Sequence, residues 1–383
     1  MRKGSPYLVV GAGYQGLTFA LEAARRGLPV VLLEKSARVG GMARSFTHEG
    51  FTCDFGMHGF ISQDRRLTGM MKDLLGANFS AFRVRPASWF GPGDIVEDRR
   101  FFPDRARYPY PHLFTGTSRR LETEVWNCMR IYNPPTAIYP KKGGFGRVFE
   151  DMAAEIRRRG GRILLGSSLA AGDLKVSGGR VVSARLRGRW TAVAGCYWAA
   201  GAQRVADPNS RLLLYHFFLK GRTPSPYHWV RIALENPLVP PLVYYPSNFS
   251  RANAPRGCYS VAAALPVYQA RANAPRDKKR LLDWFSRSPE DFQPWLTRFL
   301  SRAGFFPEKN LLGVRQDSIP LPQDRFGRKR FKKRDGLRAV RASNFWEADD
   351  WLKEIPGDSW MPSMMRSALR AAEDVLPAAA ERR

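Results

Sequence analysis

The sequence predicts an α/β fold, and the beginning of the chain supplies the main reason. An apolar strand pattern at residues 7–10 precedes a turn that contains Gly11, Gly13 and Gly16. A helical pattern follows over residues 17–26. A strand, a glycine-rich turn and a helix in this order form the first half of a βαβ unit with parallel strands.

The second strand of this unit is predicted at residues 30–33 and ends at Glu34. Gly11 allows the tight turn, Gly13 lets the backbone approach a pyrophosphate, and Gly16 lets the helix pack against the strand. The helix N-terminus offers N–H groups to phosphates, and Glu34 can accept hydrogen bonds from both ribose hydroxyls. The pattern therefore predicts a Rossmann-type dinucleotide site that favours a ribose without a 2′-phosphate.

The segment after Glu34 contains paired glycines between two arginines. Arg38, Gly40, Gly41 and Arg44 resemble the R-x-G-G-x-x-R/S extension of the flavin amine oxidase superfamily. That superfamily includes protoporphyrinogen oxidases, carotenoid desaturases and UDP-galactopyranose mutases. The resemblance implies FAD as the cofactor, with the glycines close to the flavin and the arginines beside the pyrophosphate.

A second motif lies at residues 51–60, which include Gly56, Met57 and His58. It resembles the D-x-G-x-H-x-F segment of the mutases and the protoporphyrinogen oxidase-like group. The resemblance implies that Gly56 and His58 lie over the isoalloxazine, where a histidine could bond to the flavin or tune its potential. We therefore assign His58 as the candidate catalytic residue, with a purely structural histidine as the alternative.

Two further segments extend the resemblance towards the C-terminus. Residues 139–146 resemble the YPxGG segment that returns the chain to the nucleotide domain, followed by a helix at 147–159. The strand after that helix is expected to present backbone to the adenine near Ser168 and Leu169. Residues 357–368 resemble the last flavin motif, whose helix N-terminus faces the pyrimidine end of the isoalloxazine.

One departure from the superfamily pattern precedes that last helix. Ser343 and Asn344 stand about where related proteins have an acidic residue near the ribityl chain. The cofactor contacts implied by the motifs and the resemblance are Gly11, Gly13, Tyr14, Gln15, Gly16, Glu34, Lys35, Arg38, Gly40, Gly41, Met42, Ala43, Arg44, Gly56, Met57, His58, Ser168, Leu169, Met361 and Met364.

The chain of 383 residues is long enough for two interleaved domains. Residues 1–65, 139–200 and 336–383 are predicted to form a Rossmann-type FAD-binding domain. Residues 66–138 and 201–335 are predicted to form a mixed α+β substrate-binding domain. This threading would place the active site between the two domains, where pockets preferentially occur.

Within the substrate-binding domain, helices are expected at residues 67–75 and 119–130. A helical piece at residues 277–304 is expected to form part of the substrate cavity wall. Aromatic residues near a bound ring could stack on it or donate hydrogen bonds, although ordinary core aromatics are the alternative. The candidate substrate contacts are Tyr108, Tyr110, His228 and Tyr245, with Trp229 and Tyr244 beside the last two.

The charge is strongly positive, because 62 Lys and Arg residues outnumber 34 Asp and Glu residues and give +28. Basic runs occur at residues 276–280 and 325–334. They predict an anionic small-molecule substrate, or peripheral contact with an acidic surface. A specific nucleic acid partner is not expected, since no nucleic-acid-binding motif accompanies the runs. The sequence does not predict an oligomeric state.

No apolar run approaches the length needed to span a membrane, and no secretory segment is recognisable at the N-terminus. The four cysteines have no paired spacing, so free thiols are expected, and the scattered histidines predict no metal site. A cytoplasmic protein is therefore the expectation.

Three functions are consistent with these observations. The leading hypothesis is an FAD-dependent oxidoreductase that takes hydride from a C–H of a small organic substrate to flavin N5; the substrate would be an amine, a sugar or a biosynthetic intermediate. The second is a UDP-galactopyranose mutase-like enzyme, whose net reaction on a nucleotide sugar is not redox. The third is a flavin-fold protein without turnover that acts as a binding module, for which the departure at residues 343–344 is the argument.

Overall fold

The computed structural model describes most of the chain in nine segments. These are residues 4–62, 64–97, 136–200, 211–232, 238–240, 242–267, 276–320, 340–348 and 360–377. Tyr108, Tyr110, the expected helix at 119–130 and the basic run at 325–334 lie outside the described residues.

The described elements begin with a strand, a helix and a strand, and runs of consecutive strands occur further along the chain. The helices are α1 (Tyr14–Arg25), α2 (Arg65–Leu75), α3 (Gly146–Arg158), α4 (Pro246–Phe249), α5 (Arg276–Arg287), α6 (Pro289–Arg302) and α7 (Trp360–Val375). The strands are β1 (Tyr7–Val10), β2 (Val30–Glu34), β3 (Ser45–His48), β4 (Phe51–Asp54), β5 (Phe79–Arg83), β6 (Pro86–Gly91), β7 (Asp94–Glu97), β8 (Thr136–Pro140), β9 (Arg162–Leu165), β10 (Leu174–Ser177), β11 (Arg180–Leu186), β12 (Arg189–Ala192), β13 (Gly195–Trp198), β14 (Arg211–Lys220), β15 (Trp229–Ile232), β16 (Leu242–Tyr244), β17 (Cys258–Pro266), β18 (Leu311–Pro320) and β19 (Phe345–Glu347).

A five-stranded parallel sheet carries the nucleotide-binding unit, with strand order β19-β13-β1-β2-β9. Its central strands are buried on both faces, as parallel sheets require. Helices α1, α3 and α7 cover one face, and the small sheet β10-β11-β12 covers the other. The α/β fold with a Rossmann-type unit is thereby confirmed.

Local sequence explains where the helices of this unit begin and end. Gly27, with φ of 72°, follows α1 and lets the chain turn back towards β2. At α2 the Asp64 carboxylate caps the N-terminus by accepting hydrogen bonds from the amides of Arg66 and Leu67.

A larger mixed sheet contains seven strands in the order β18-β14-β17-β16-β15-β6-β7. Along its strands, alternate side chains point to opposite faces. One face, which includes Leu214, Trp229, Tyr244 and Ala262, packs into the same core cluster as α1 and α3. We call this the inner face. It therefore lies towards the nucleotide-binding unit.

The outer face of the larger sheet is covered by two helices, and this corrects one expectation. The predicted helical piece at residues 277–304 is interrupted at Ser288, so α5 and α6 are separate. Leu282 of α5 and Leu296 of α6 pack against Val230 and Val243 on the outer face. Both helices lie on the side of the larger sheet away from the nucleotide-binding unit, and their part in a substrate cavity stays a prediction.

The described residues can be compared with the expectations about cysteines, membrane spans and metal sites. Cys53, Cys196 and Cys258 are free thiols. Within the described segments, no helix has the length and apolarity needed to cross a membrane. No group of three or more His, Cys, Asp or Glu side chains is arranged there to hold a metal ion.

Candidate functional site

The glycine turn between β1 and α1 explains why three glycines are needed. A Cβ on Gly16 would lie 1.8 Å from the Gly11 carbonyl oxygen, and one on Gly11 would lie 2.9 Å from the Ala200 amide nitrogen. Gly11 also has φ of 100°. A Cβ on Gly13, by contrast, would meet nothing within 4 Å. The first and third glycines are thus required by protein packing, whereas Gly13 faces open space at the N-terminus of α1.

Glu34 lies at the end of β2 beside this turn. Its carboxylate accepts hydrogen bonds from the Ala12 amide at 2.8 Å and the Ser36 amide at 2.9 Å. The side chain is buried and held in one orientation. Because each carboxylate oxygen can accept more than one hydrogen bond, both oxygens keep acceptor capacity for ribose hydroxyls.

The paired glycines fold back onto the first turn. The Gly40 amide donates a hydrogen bond to the Ala12 carbonyl at 2.8 Å, and a Cβ on Gly41 would lie 3.5 Å from the Gly13 Cα. Gly40 has φ of 102° and no room for a side chain, because Phe149 would be 2.8 Å from its Cβ. The two glycine segments lie apart in the sequence, but in the fold they form one continuous backbone surface around Gly13.

The side chains that flank the paired glycines differ in their surroundings. Lys35 and Arg38 are exposed. Met42 is exposed as well, while Ala43 is buried. The Arg44 guanidinium lies 5.0 Å from the centre of the Phe55 ring, which fixes it beside the second motif.

His58 lies where the two motif segments meet. Its Nε2 is 3.2 Å from the Phe55 carbonyl oxygen. Burial lowers the pKa of His58 from its ordinary value, and the nearby Asp54 carboxylate and the backbone of Phe55 and Met42 oppose that shift. A lowered pKa keeps the imidazole neutral at pH 7, so that one ring nitrogen can donate and the other can accept a hydrogen bond. Gly56, with φ of 119°, brings the chain close to this ring.

A buried carboxylate behind His58 was not singled out from the sequence. Asp54 Oδ1 accepts hydrogen bonds from the Ser45 hydroxyl at 2.5 Å and the Phe145 amide at 2.9 Å. Its Oδ2 accepts one from the Tyr139 hydroxyl at 2.7 Å, which in turn accepts one from the Asn253 amide. Burial raises the pKa of Asp54, and these donors together with His58 oppose the rise. The network joins four chain segments behind the predicted flavin loop.

The glycines of the segment at 143–146 are explained by the same network. A Cβ on Gly144 would lie 2.5 Å from the Ser45 hydroxyl oxygen and 2.7 Å from Asp54 Oδ1. The Gly146 amide donates to the Ser45 hydroxyl at 2.6 Å. The return of the chain into α3 is therefore built directly on β3 and β4.

The other predicted cofactor contacts differ in how far their side chains are exposed. Ser168 is exposed, whereas the Leu169 side chain is in the core; both follow Ser167, whose amide donates to the Glu34 carbonyl at 2.8 Å. The structure thus brings this segment to the Glu34 end of the site. Tyr14 packs its ring edge-on against Phe149, so only its backbone could face a phosphate.

The remaining predicted contacts are Gln15, Met57, Met361 and Met364. Gln15 is half-buried in the first turn of α1. Met57 is half-buried and packs against the core beside His58. Met364 is buried on α7. Met361 lies in the first turn of that helix, and its side chain is outside the described part of the structure.

Asn344, which departs from the acidic residue of the superfamily, has a structural role. Its side-chain amide donates to the carbonyls of Val181 and Ala194, and its Oδ1 accepts from the Val181 amide at 2.7 Å. The side chain is buried and joins the small sheet to the edge of the five-stranded sheet. This bridging role accounts for an amide at the position.

The candidate substrate contacts His228 and Tyr245 are neighbours, since the Tyr245 amide donates to the His228 carbonyl at 2.9 Å, but their side chains have different surroundings. Tyr245 is on the outer face of the larger sheet, where its hydroxyl donates to the Phe305 carbonyl at 3.3 Å. His228 is buried, its Nδ1 accepts from the Arg85 amide at 3.0 Å, and burial lowers its pKa to about 4. Its ring stacks on Phe82 at 4.8 Å. Both side chains are thus engaged in joining structural elements.

Tyr244, the neighbour of Tyr245, occupies the inner face instead. Only 2% of its surface is exposed, and its hydroxyl has no hydrogen-bond partner among the described residues. Burial raises the pKa of Tyr244 well above its ordinary value, and the Asp54 carboxylate is near enough to raise it further. Its ring meets His216 edge-on at 6.4 Å. An unsatisfied buried phenol beside the Asp54 network is a candidate ligand contact.

Comparison with known proteins gives local sequence matches and matches to the whole fold. Residues 9–74 match the NAD(P)-binding Rossmann-like domain. Over 51 residues the chain is 43% identical to phytoene desaturase (lycopene-forming) of Pantoea ananas. That match covers 13% of this chain and 10% of the desaturase, so the chain shares only a short segment with this curated relative.

Solved structures match over almost the full length at low identity. Reduced UDP-galactopyranose mutase matches with a TM-score of 0.65 and 14% identity, covering 97% of this chain and 95% of the mutase. Putrescine oxidase bound to putrescine matches with a TM-score of 0.60 and 13% identity, covering 97% of this chain and 99% of the oxidase. These matches concern the fold.

Proposed function

We infer that this chain, which has the flavin amine-oxidase-like fold that its motifs predict, is an FAD-dependent oxidoreductase. It would take hydride from a C–H of a small organic substrate held between the glycine turns and the inner face of the larger sheet. The support comes from the glycine turns, from Glu34 and from the inner face. The desaturase and the oxidase among the similar proteins are oxidoreductases by name, which agrees with this class.

The observation that carries the proposal is the open position of Gly13 between packed glycines. A protein that needed only a tight turn would need Gly11 and Gly16, whose Cβ positions are blocked by backbone. Gly13 has no such constraint, yet the Gly41 segment lies against it. Backbone access at this point, next to the N-terminus of α1 and the Glu34 carboxylate, suits a pyrophosphate and its ribose.

The residues of the chain would have distinct tasks around the cofactor. Gly13, Gly41 and the α1 N-terminus would hold the pyrophosphate, and Glu34 the ribose. Bound FAD supplies an acceptor for hydride at N5. His58 would offer a neutral imidazole to the ring region, and the Asp54 network would hold its loop in place. The aromatic inner face would exclude water and orient the C–H.

A mutase-like reaction on a nucleotide sugar is the second candidate. Arg231 is fully buried on the inner face and lies 6.0 Å from the Trp229 ring centre. Arg315 lies over Phe46 at 4.1 Å near the same face. Guanidinium groups there could contact a diphosphate. In a mutase-like reaction the product has the same oxidation state as the substrate, and binding of UDP would raise the melting temperature of the protein. Hydride transfer to the flavin would instead give an oxidised product.

The proposed substrate contact can be tested with two adjacent tyrosines. We expect Tyr244→Phe to lower kcat/KM at least tenfold, because the lost hydroxyl is a buried group positioned for a ligand. The matched control, Tyr245→Phe, removes a hydroxyl that bonds to the Phe305 carbonyl on the outer face. It should reduce stability by about 1 kcal/mol and leave kcat/KM within twofold.

The measurement is anaerobic bleaching of the flavin absorbance by a panel of amines, sugars and acidic metabolites. The substrate found with the wild-type protein is then used for both variants. Equal kcat/KM for wild type and Tyr244→Phe would remove Tyr244 from the substrate site. A panel in which no compound bleaches the flavin, while UDP stabilises the protein, would favour the mutase-like reaction.

A further inference from the structure

Helix α5 exposes two large apolar side chains to solvent. Leu281 is 44% exposed and Trp284 is 57% exposed. They lie three residues apart and so occupy the same side of the helix, one turn from each other. Leu282 on the other side is fully buried against the outer face of the larger sheet. Packing among the described residues therefore accounts for Leu282 and leaves the exposure of Leu281 and Trp284 unexplained.

Basic side chains accompany this exposed apolar pair. Arg276, Arg280 and Arg287 are exposed, and Lys278 and Lys279 are half-exposed. Positions 276, 280, 284 and 287 are spaced four, four and three residues apart, so these arginines and Trp284 form one stripe. The side chains of α5 that face solvent thus combine apolar and cationic groups. We call Arg276, Arg280, Leu281, Trp284 and Arg287 the α5 patch.

Acidic residues also border the patch and limit its local charge. Asp277 is exposed in the first turn of α5, and Glu290 and Asp291 are exposed at the start of α6. The Trp284 indole N–H donates to Asp291 Oδ2 at 2.8 Å. This hydrogen bond satisfies the indole N–H, while the apolar remainder of the ring stays exposed to solvent. Such an amphipathic ring suits a boundary between water and lipid.

We propose that the α5 patch docks on a membrane surface that contains anionic phospholipids. Trp284 and Leu281 would enter the boundary between headgroups and acyl chains, and the arginines would contact lipid phosphates. The net charge of +28 adds long-range attraction to such a surface. Docking of the α5 patch on a membrane is independent of the proposed redox activity.

A membrane fits the patch better than a nucleic acid does. Nucleic acid contacts need cations and, for single strands, aromatic rings, but an exposed leucine gains nothing from a phosphate backbone. Leu281 and Trp284 together gain by leaving water for the lipid boundary. A lipid surface is therefore the partner that suits the α5 patch. Binding of nucleic acid by the patch would contradict the proposal.

The test is co-sedimentation of the full chain with two kinds of vesicle. One is pure phosphatidylcholine, and the other is an equal mixture of phosphatidylcholine and phosphatidylglycerol. We expect the wild type to bind the mixed vesicles much more tightly than the neutral ones. The double variant Leu281→Ser, Trp284→Ser should bind the mixed vesicles about tenfold more weakly. Arg280→Gln should weaken binding about fivefold at low salt.

Trp190 provides a matched control. It is 54% exposed on β12, outside α5, and Trp190→Ser should leave vesicle binding within twofold of the wild type. Thermal melting monitored by circular dichroism checks that all variants fold. Equal binding by the double variant and the wild type would overturn the proposal. So would an equal loss in Trp190→Ser, or a double variant that loses binding to a DNA oligonucleotide but not to vesicles.

Discussion

Gly16→Ala is expected to prevent stable folding of the nucleotide-binding unit. The new Cβ would lie 1.8 Å from the Gly11 carbonyl oxygen and 3.3 Å from the Ala199 Cβ. The Gly11 carbonyl belongs to the turn between β1 and α1 and cannot rotate away as a side chain can, and Ala199 directly follows the neighbouring strand β13. Helix α1 would have to move outward, separating its buried side chains from the sheet. We expect a loss of at least about 3 kcal/mol in the free energy of unfolding.

The control for this prediction is Gly13→Ala, three residues earlier in the same turn. Its Cβ would meet no protein atom within 4 Å, and Gly13 has φ of −84°, which alanine adopts readily. The variant should unfold in urea at the same midpoint as the wild type. If Gly16→Ala unfolded at the same urea concentration as Gly13→Ala, α1 would not be packed against the first turn as closely as the structure shows.

Asp54→Ala is expected to have the second large effect. The substitution would leave three buried donors without an acceptor, namely the Ser45 hydroxyl, the Tyr139 hydroxyl and the Phe145 amide. Each such group costs about 1–3 kcal/mol, so the three together are expected to cost at least about 3 kcal/mol. Because the network supports the loop that carries His58, flavin retention should fall together with stability.

Two further variants separate the network from general effects of removing an acid. Asp54→Asn keeps one acceptor oxygen and the same shape, so it should lose only about 1–2 kcal/mol. Asp73→Ala removes an exposed carboxylate on α2 and should change stability by less than about 0.5 kcal/mol. Urea unfolding of the three purified variants gives these values. An Asp54→Ala protein as stable as Asp73→Ala would contradict the network.

The first βαβ unit could be predicted from sequence because its signals are local. Gly11 has a positive φ, Gly16 meets the Gly11 carbonyl within the same turn, and Glu34 ends the next strand. The packing role of Gly16 was also predictable, whereas pyrophosphate binding at Gly13 stays a prediction. The structure adds that Gly16 is blocked by the Gly11 carbonyl itself, a contact within the same turn.

The larger sheet could not be predicted in the same detail, because its information is non-local. Adjacent strand residues face opposite sides, so choosing between Tyr244 and Tyr245 requires knowing which face is inner. From the sequence, Tyr245 was predicted to contact substrate, but it lies on the outer face. The cover of that face by α5 and α6 was missed for the same reason, since both helices have an apolar side that fits either face.

Asp54 illustrates a third kind of limit. It stands inside a recognised motif, but its partners Ser45, Tyr139 and Phe145 come from different segments of the chain. Only the folded arrangement shows that one carboxylate joins them. A buried acid between a predicted strand and a glycine is the signal that could have drawn attention to it.

The central claim, that the Gly13 turn holds FAD, is tested most directly by one absorbance measurement. The spectrum of the purified wild-type protein is compared with that of Gly13→Val, after both have been incubated with FAD and desalted. We expect flavin bands at about 370 and 450 nm in the wild type, bleached by dithionite, and no such bands in a Gly13→Val protein whose thermal melting shows that it is folded. A wild type without these bands, or a Gly13→Val protein that retains as much FAD, would contradict the central claim.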